Sequence, residues 1–189
     1  MRIPGSNKSP NHRHSRQCGG KILSESTCQQ IKRCGCEDGV NDADAAGIAE
    51  IKYGVGKDRN GVVMMLTVGT ESNIVFTDGV LVPNLEFGHL KMRDKASGKN
   101  ISAEKICSDA VRKSRDLQWR HWAERFNKYL EYLHSLTWPD LMIIGGGIAS
   151  KSPKYIKYLN VDCDITIAKL ENRAGIIGAA YQADRILRH

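Results

Sequence analysis

The sequence contains no apolar run of the length that a membrane-spanning helix needs. Its first 30 residues are polar and basic, and they lack the apolar segment of a secretory signal. We therefore expect the chain to stay in a reducing compartment, where its six cysteines remain thiols. We expect a cytoplasmic location, although a basic, serine-containing and acid-poor start also permits an organelle transit peptide.

The spacings of common zinc modules are missing too. The candidate zinc ligands are Cys18, Cys28, Cys34, Cys36, His12 and His14. Nine, five and one residues separate the successive cysteines, and this pattern matches no common module. We therefore expect no zinc site in this segment. Cys107 and Cys163 are predicted to be ordinary buried thiols.

Acidic residues are outnumbered, and the formal net charge is +7. Residues 1–40 hold seven Lys/Arg against three Asp/Glu, so +4 of the excess lies there. Such an excess favours polyanions, including nucleic acid, polyphosphate and anionic lipid, without choosing among them, and it also simply solubilises a chain. No recognised nucleic-acid-binding motif accompanies it, so we expect no nucleic acid partner. Since the sequence also has no apolar run of membrane-spanning length, we expect no membrane partner.

Residues 1–40 are also poor in apolar side chains. Polar residues, glycine and proline dominate this segment, and Ile22-Leu23 is its one apolar pair of note. A segment of this kind buries too little surface to offset the entropy lost on ordering. The sequence predicts that residues 1–40 form a disordered or non-homologous basic segment, and that residues 41–189 form an ordered domain.

The first half of this domain carries clear strand signals. An alanine-rich stretch that starts near Asp42 predicts a helix, and the apolar run 62–68 predicts a central buried strand. Two more strands are predicted at 73–76 and 80–82, with a tight Asp78-Gly79 turn between them.

The second half is predicted to be mainly helical, with two strands. We expect helices over about 102–114 and from Trp119 to Pro139, the second with an apolar stripe that runs as far as Leu136. The remaining predictions are a strand at 141–144, a short helix at 154–159, a strand at 165–168 and a helix at 174–187, whose inward residues are Ile176, Ile177, Ala180, Ala183 and Leu187. This order resembles one lobe of an actin-like, ribonuclease-H-like kinase.

Two polar clusters carry the candidate chemistry. Asp42 stands at a predicted helix start, where local amides keep a carboxylate ionised; it is either a general base or only a helix cap. Glu86 and His89 flank Gly88 in a predicted turn. A carboxylate and an imidazole suit adjacent sugar hydroxyls, because one accepts hydrogen bonds and the other can donate them; a loop ion pair is the alternative.

These clusters resemble motifs of the polyphosphate glucokinases, within the ROK family of sugar kinases. The similarity covers about residues 41–189, and Phe87 replaces a family leucine. The matching runs are Asn41-Asp-Ala-Asp-Ala-Ala-Gly47, Asp78-Gly-Val-Leu-Val-Pro-Asn-Leu-Glu-Phe-Gly-His89, Asp116-Leu-Gln-Trp-Arg-His-Trp-Ala123, Trp138-Pro-Asp-Leu-Met-Ile-Ile-Gly-Gly-Gly147 and Glu171-Asn-Arg-Ala-Gly-Ile-Ile-Gly-Ala-Ala180. The resemblance implies an α/β fold, namely the C-terminal lobe of an actin-like sugar kinase, with a mixed sheet and flanking helices.

The resemblance also implies roles for the matching residues. Asp42 is the expected general base on the 6-hydroxyl of glucose, and Asn41, Glu86 and His89 are expected to bind glucose hydroxyls. The expected phosphate-binding residues are Thr67, Gly69, Thr70, Gly145, Gly146 and Gly147. The donor is expected to be polyphosphate or ATP with Mg²⁺, and a homodimer is the expected assembly.

The sequence departs from the resembling family in two places. Nothing in residues 1–40 matches the family's first phosphate loop, so the resemblance implies a truncated glucokinase, either active or inactive as written; the alternative is a non-catalytic sugar-binding relic. After Gly69-Thr70 the family has Gly-x-Gly-Ser, whereas this chain has Glu71-Ser72-Asn73 and is one residue shorter. A carboxylate at 4–5 Å from a phosphate charge costs about 3–4 kcal/mol at an effective dielectric near 20.

Overall fold

A mixed sheet forms the centre of the structure. The computed structural model describes residues 42–68, 73–82, 85 and 87–187, all within one compact unit, Val40–His189. The predicted segment 1–40, with its candidate zinc ligands, lies outside the described residues. The helices are α1 (Asp42–Tyr53), α2 (Glu104–Cys107), α3 (Asp109–Ser114), α4 (Trp119–Thr137) and α5 (Ala174–Leu187). The strands are β1 (Val62–Thr67), β2 (Asn73–Thr77), β3 (Val80–Val82), β4 (Lys91–Arg93), β5 (Asn100–Ser102), β6 (Leu141–Gly145) and β7 (Asp164–Ile167).

The strand order of the main sheet is β3-β2-β1-β6-β7, so β1 is central, as predicted from its apolar run. β1 pairs in parallel with β6 and antiparallel with β2, and β6 pairs in parallel with β7. β4 and β5 form a separate two-stranded sheet.

Both faces of β1 are covered. Met64 and Leu66 pack with α4, whereas Val63 and Met65 pack with α1 on the opposite face. Because successive side chains of a strand point to opposite faces, a strand buried on both sides reads as a continuous apolar run. This explains why the sequence showed no polar alternation here.

The predicted hairpin between β2 and β3 is confirmed. Asp78 (φ 50°) and Gly79 (φ 76°) both have positive φ, as the tightest hairpin turns require. The Asp78 carboxylate also accepts a hydrogen bond of 2.7 Å from the Gly61 N–H. The turn is therefore fixed to the residue that precedes β1.

The apolar stripe of α4 is confirmed over most of its length. Trp122, Phe126 and Leu130 are fully buried, and the Trp122 indole N–H donates to the Cys107 carbonyl at 2.8 Å. Leu136 was predicted to belong to this stripe but is 49% exposed. The helix ends one residue later, at Thr137, so its last turn lies beyond the core.

Two helix predictions are wrong in detail. The helix predicted over 102–114 is divided at Ser108, whose extended backbone (ψ 153°) ends α2 and whose hydroxyl accepts from the Val111 N–H to begin α3. In place of a helix at 154–159, two 3₁₀ segments occur, Gly146–Lys154 and Ile156–Tyr158.

The predicted inward face of α5 is also corrected. Ile176 is 75% exposed, and Ala180 and Ala183 are exposed as well. Ala174 and Gly178 are buried instead, because α5 packs so closely on α1 that only very small residues fit. Ile177 is half-buried, and the side chain of Leu187 lies outside what the structure describes.

Among the described residues, no helix has the length and apolar character to cross a membrane.

Candidate active site

The candidate site lies where parallel strands end. Thr67, the last residue of β1, is in register with Gly145, the last residue of β6. β7 continues the parallel arrangement, with Ile167 beside Ile144. Ligands of open α/β sheets bind outside the carboxyl ends of such strands. The register therefore brings together three residues that were predicted separately to bind phosphate, namely Thr67, Gly145 and Gly146.

The glycines after β6 differ in what they require. Gly145 is buried, and a Cβ there would lie 2.8 Å from the Met65 Cε. Gly146 has φ 76°, and a Cβ would lie 3.0 Å from the Thr67 Cγ2. Gly147 is exposed and has open space where a Cβ would be. Gly146 is therefore required by its backbone conformation, whereas the Met65 methyl could move away from a side chain at position 145, and Gly147 leaves its surface open to a ligand.

The side chain of Thr67, at the end of β1, is unusual in its hydrogen bonding. Its hydroxyl oxygen is buried and has no hydrogen-bond partner among the residues that the structure describes. A buried hydroxyl without a partner is costly to keep. This makes Thr67 a candidate hydrogen-bond donor at the edge shared with Gly145 and Gly146.

The structure describes fewer of the residues that are predicted to form the sugar site. His89 is exposed and ends the 3₁₀ turn Phe87–His89, in which Phe87 is half-buried and Gly88 is buried. Asp42 is the first residue of α1, as expected for a residue at a helix start, although its side chain is not described. Four predicted site residues lie outside the described part of the chain, namely Asn41, Gly69, Thr70 and Glu86.

The position of α1, and with it that of Asp42, is set by close helix packing. Gly178 of α5 faces the backbone of Ala45, and a Cβ at Gly178 would lie 1.7 Å from the Ala45 carbonyl oxygen. On its other side, Gly47 packs against Ile74 and Phe76 of β2. Glycine thus permits α1 to fit between α5 and the sheet.

Glu50 is a residue that the sequence analysis missed. Its side chain is fully buried, its Oε1 accepts from the Leu170 N–H at 2.6 Å, and its Oε2 accepts from the Val55 N–H at 3.1 Å. These bonds join the end of α1 to the segment that follows β7. The available signal was one acidic residue in the apolar run 45–51, with Gly54 three residues after that run, where a Cβ would lie 1.9 Å from the Glu50 carboxylate.

The two cysteines that the structure describes are thiols. Burial raises the pKa of Cys107 to about 12, so this thiol is unreactive near neutral pH, as predicted. Cys163 is only half-buried, and burial, with Asp164 and Asp162 nearby, raises its pKa too. The described residues contain no group of three or more His, Cys, Asp or Glu that could hold a metal ion.

Several known proteins are similar to this chain in sequence and fold. No family model matches the chain. It is 41% identical to a polyphosphate glucokinase of Mycobacterium tuberculosis over 142 residues, which are 75% of this chain and 51% of that protein. The inorganic polyphosphate/ATP-glucomannokinase of Arthrobacter sp. strain KM matches with a TM-score of 0.71 and 38% identity, over 79% of this chain and 56% of that one.

A ROK family glucokinase from Streptomyces griseus matches with a TM-score of 0.60 and 20% identity, over 77% of this chain and 67% of that one. This likeness shows the fold alone, and it confirms the predicted α/β class with its mixed sheet. The chain spans about half the length of the curated relatives it matches. Over about three quarters of its length, the chain is a homologue of the polyphosphate glucokinases.

Proposed function

We propose that the chain belongs to a glucokinase that transfers a phosphoryl group from polyphosphate or ATP to the 6-hydroxyl of glucose. The observation that carries this proposal is the 41% identity to a polyphosphate glucokinase. The meeting of Thr67, Gly145 and Gly146 at the carboxyl ends of β1 and β6 supports it, because that edge suits a phosphate ligand.

The proposed reaction begins at Asp42. Its carboxylate, at the amino end of α1, is favoured in the ionised form by the helix dipole, and it accepts the proton of the sugar 6-hydroxyl. The hydroxyl oxygen then bonds to the terminal phosphorus of the donor while the bond from that phosphorus to its bridging oxygen breaks. The products are glucose 6-phosphate and a donor shortened by one phosphate. Asn41, Glu86 and His89 hold the remaining hydroxyls in this proposal.

The donor phosphates are assigned to the sheet edge. Gly146 and Gly147 offer exposed backbone, and Thr67 offers a hydroxyl that has no partner among the described residues. Gly69 and Thr70 are assigned to the same function from the sequence. Mg²⁺ typically binds through donor phosphates with one or two carboxylates, so it enters with the donor as part of the substrate and requires no cage of protein ligands.

The test is an assay of glucose 6-phosphate formation with the 189-residue chain, with ATP and with polyphosphate as donors. Asp42→Asn should lower the turnover by about two orders of magnitude or more, which is the size of a lost general base, while glucose affinity changes little. Glu86→Ala and His89→Ala should weaken glucose binding in calorimetry. Turnover that Asp42→Asn leaves intact would refute the assignment of the base.

A second candidate function is glucose binding without phosphoryl transfer. It is favoured by one observation, that Glu71 stands where the resembling family has glycine in a phosphate loop. In that case calorimetry detects glucose binding that depends on Glu86 and His89, whereas neither donor yields glucose 6-phosphate at any enzyme concentration.

The remaining assignments concern assembly and location. We extend the proposal to a homodimer, as the family resemblance implies, and to a cytoplasmic location. Light scattering of the purified chain measures the first property, and fractionation of source cells with an antibody to residues 116–136 measures the second. A monomer at all concentrations tested, or a signal confined to an organelle, would contradict the respective assignment.

A further inference from the structure

Gly145, Gly146 and Gly147 at the end of β6 are called the glycine turn. A group of basic side chains surrounds Trp119, and the proposed function does not use it. We call this group the basic cluster. Its cations are Arg112, Lys113, Lys151 and Lys154, and they gather around the carboxylate of Asp109 and the ring of Trp119.

The carboxylate of Asp109 holds three of these cations. It lies 2.8 Å from the Arg112 Nε, 2.9 Å from the Lys151 Nζ and 3.1 Å from the Lys113 Nζ. Partial burial tends to raise the pKa of Asp109, but the hydrogen bonds from these cations outweigh it and keep the pKa below its usual range. Asp109 therefore stays ionised near neutral pH. Four cations and one carboxylate leave an excess of three positive charges in the cluster.

The ring of Trp119 contacts three of these cations. The Arg112 Cζ lies 4.2 Å from its ring centre, the Lys154 Nζ 5.8 Å and the Lys151 Nζ 6.0 Å. The ring itself packs on Trp122 and Tyr155, which are both fully buried. Cation–π contacts with an anchored ring restrict the cationic groups before any ligand arrives, so less entropy is lost on binding.

One chain segment connects the cluster to the candidate active site. Lys151 and Lys154 lie on the 3₁₀ segment Gly146–Lys154, which starts in the glycine turn at the end of β6. With a rise of about 2 Å per residue, Lys151 is roughly 8 Å and Lys154 roughly 14 Å along this segment from Gly147. Lys113 and Lys154 are exposed, and Lys151 is one-third exposed, so the excess charge reaches the solvent.

We propose that the basic cluster binds the distal part of an inorganic polyphosphate chain whose reacting end lies at Gly146 and Gly147. This inference rests on the proposed function, because it assumes that the glycine turn holds the donor's reacting end. A short donor carries its charge near the reacting phosphorus, whereas a polyphosphate repeats the charge along its length and reaches the cluster. Long chains should thus bind more tightly than short ones.

Polyphosphate fits the cluster better than nucleic acid does. Single-stranded nucleic acids gain much of their affinity by stacking bases on aromatic faces. In this cluster Arg112 lies over the Trp119 ring, and Tyr155 is stacked with the same ring at a centroid distance of 6.0 Å. The accessible chemistry is therefore positive charge without a stacking surface, which suits a polyanion that has no bases.

The test compares equilibrium binding of long-chain polyphosphate, tripolyphosphate and ATP to the full 189-residue chain. The variant Lys151→Ala/Lys154→Ala is matched with Lys57→Ala/Lys95→Ala, which removes two exposed lysines elsewhere and thus the same charge. The basic residues 1–40 are present in both, so their contribution cancels. The cluster variant should raise the Kd for long-chain polyphosphate by about tenfold, with little change for tripolyphosphate or ATP, whereas the control should change all three by less than about threefold.

Further variants keep the result interpretable. Lys154→Ala alone leaves the ion pairs of Asp109 in place and should still weaken the binding of long chains. Lys151→Arg keeps the charge, so this variant should retain most of the affinity for long-chain polyphosphate that the alanine variant loses. Higher salt should reduce the difference between long and short donors, because screening weakens contacts between exposed charges.

Three outcomes would overturn the proposal. Equal loss in the cluster and control variants would show binding to net charge only. An unchanged Kd for long-chain polyphosphate in the cluster variant would show that the ion pairs of the basic cluster only stabilise the fold. A single-stranded RNA of matched length that competes with polyphosphate as well as polyphosphate itself does would assign the cluster to nucleic acid.

The kinase assay separates this inference from the proposed function. Cluster-dependent binding of long chains without glucose 6-phosphate from either donor would leave the inference standing and refute the function. Turnover with ATP, combined with polyphosphate binding that ignores the cluster, would do the reverse.

Discussion

Gly178→Ala should strongly destabilise the protein, because this position is where α5 meets the backbone of α1. A Cβ at Gly178 would lie 1.7 Å from the Ala45 carbonyl oxygen and 2.5 Å from its carbonyl carbon. Carbon atoms of real side chains do not approach closer than 3.0 Å, so the two helices must separate by about 1.3 Å. Backbone atoms cannot rotate away as the end of a flexible side chain can.

The size of the effect follows from this displacement. Overpacking in a well-packed core typically costs 1–3 kcal/mol, and the backbone neighbour puts this site near the upper value, about 3 kcal/mol. For a protein of this size each kcal/mol corresponds to a change of 2–4 °C in Tm, so Tm should fall by about 6–12 °C. Because Ala45 lies four residues along the chain from Asn41, which is proposed to bind a glucose hydroxyl, glucose affinity should fall as well.

The assay is thermal and urea denaturation of the full chain, with glucose titration at a temperature where the variant is folded. Gly147→Ala is the matched control for stability, since a Cβ at that position meets open space. It should leave the unfolding free energy within about 0.5 kcal/mol of the wild-type value. A loss below about 1 kcal/mol in Gly178→Ala, or equal losses in both variants, would refute the close contact between α1 and α5.

Three further predictions concern single carboxylates. Glu50→Ala should lower the unfolding free energy by about 2–4 kcal/mol in urea denaturation, because two backbone N–H groups lose their acceptor; a loss under 1 kcal/mol would contradict this. Hydrogen bonds from Arg115 and then Ser97 hold the pKa of Asp94 well below its usual range, so its contribution to stability is present above about pH 4 and is lost as the pH falls further. The unfolding free energy should thus fall less steeply below pH 4 in Asp94→Asn than in the wild type, and parallel pH profiles would argue against this role. From the sequence, Glu71→Gly should tighten donor binding by about two orders of magnitude in calorimetry if this carboxylate faces the phosphates, and an unchanged Kd would mean that it does not.

Much of the fold could be predicted because its signals are local. The apolar run of β1, the Asp78-Gly79 turn and the stripe on α4 each express a periodicity or a backbone preference that neighbouring residues decide. Where the competing signal was weak, prediction failed: Ser108 followed by Asp109 is a helix-start pattern, but it lies within a stretch that also reads as one continuous helix. Its hydroxyl caps α3 only because the chain has turned there.

The candidate site was predictable as a set of residues but not as an arrangement. Resemblance selected Thr67 and the glycines that follow β6, yet 78 residues separate Thr67 from Gly145. They become neighbours only through the parallel register of β1 and β6. Glu50 escaped notice because its partners, the amides of Val55 and Leu170, are backbone groups that carry no sequence signal.

The sequence by itself determined the spacing of apolar residues in the helices and strands, the residues of the turns, and the similarity to polyphosphate glucokinases. All three depend only on the order of residues along the chain. The tertiary structure decided which face of α5 is buried, which strand ends meet, and that Lys151 and Lys154 join Arg112 around Trp119. The physical reason is that local preferences act over a few residues, whereas these contacts arise when distant segments bury their apolar surfaces against one shared sheet.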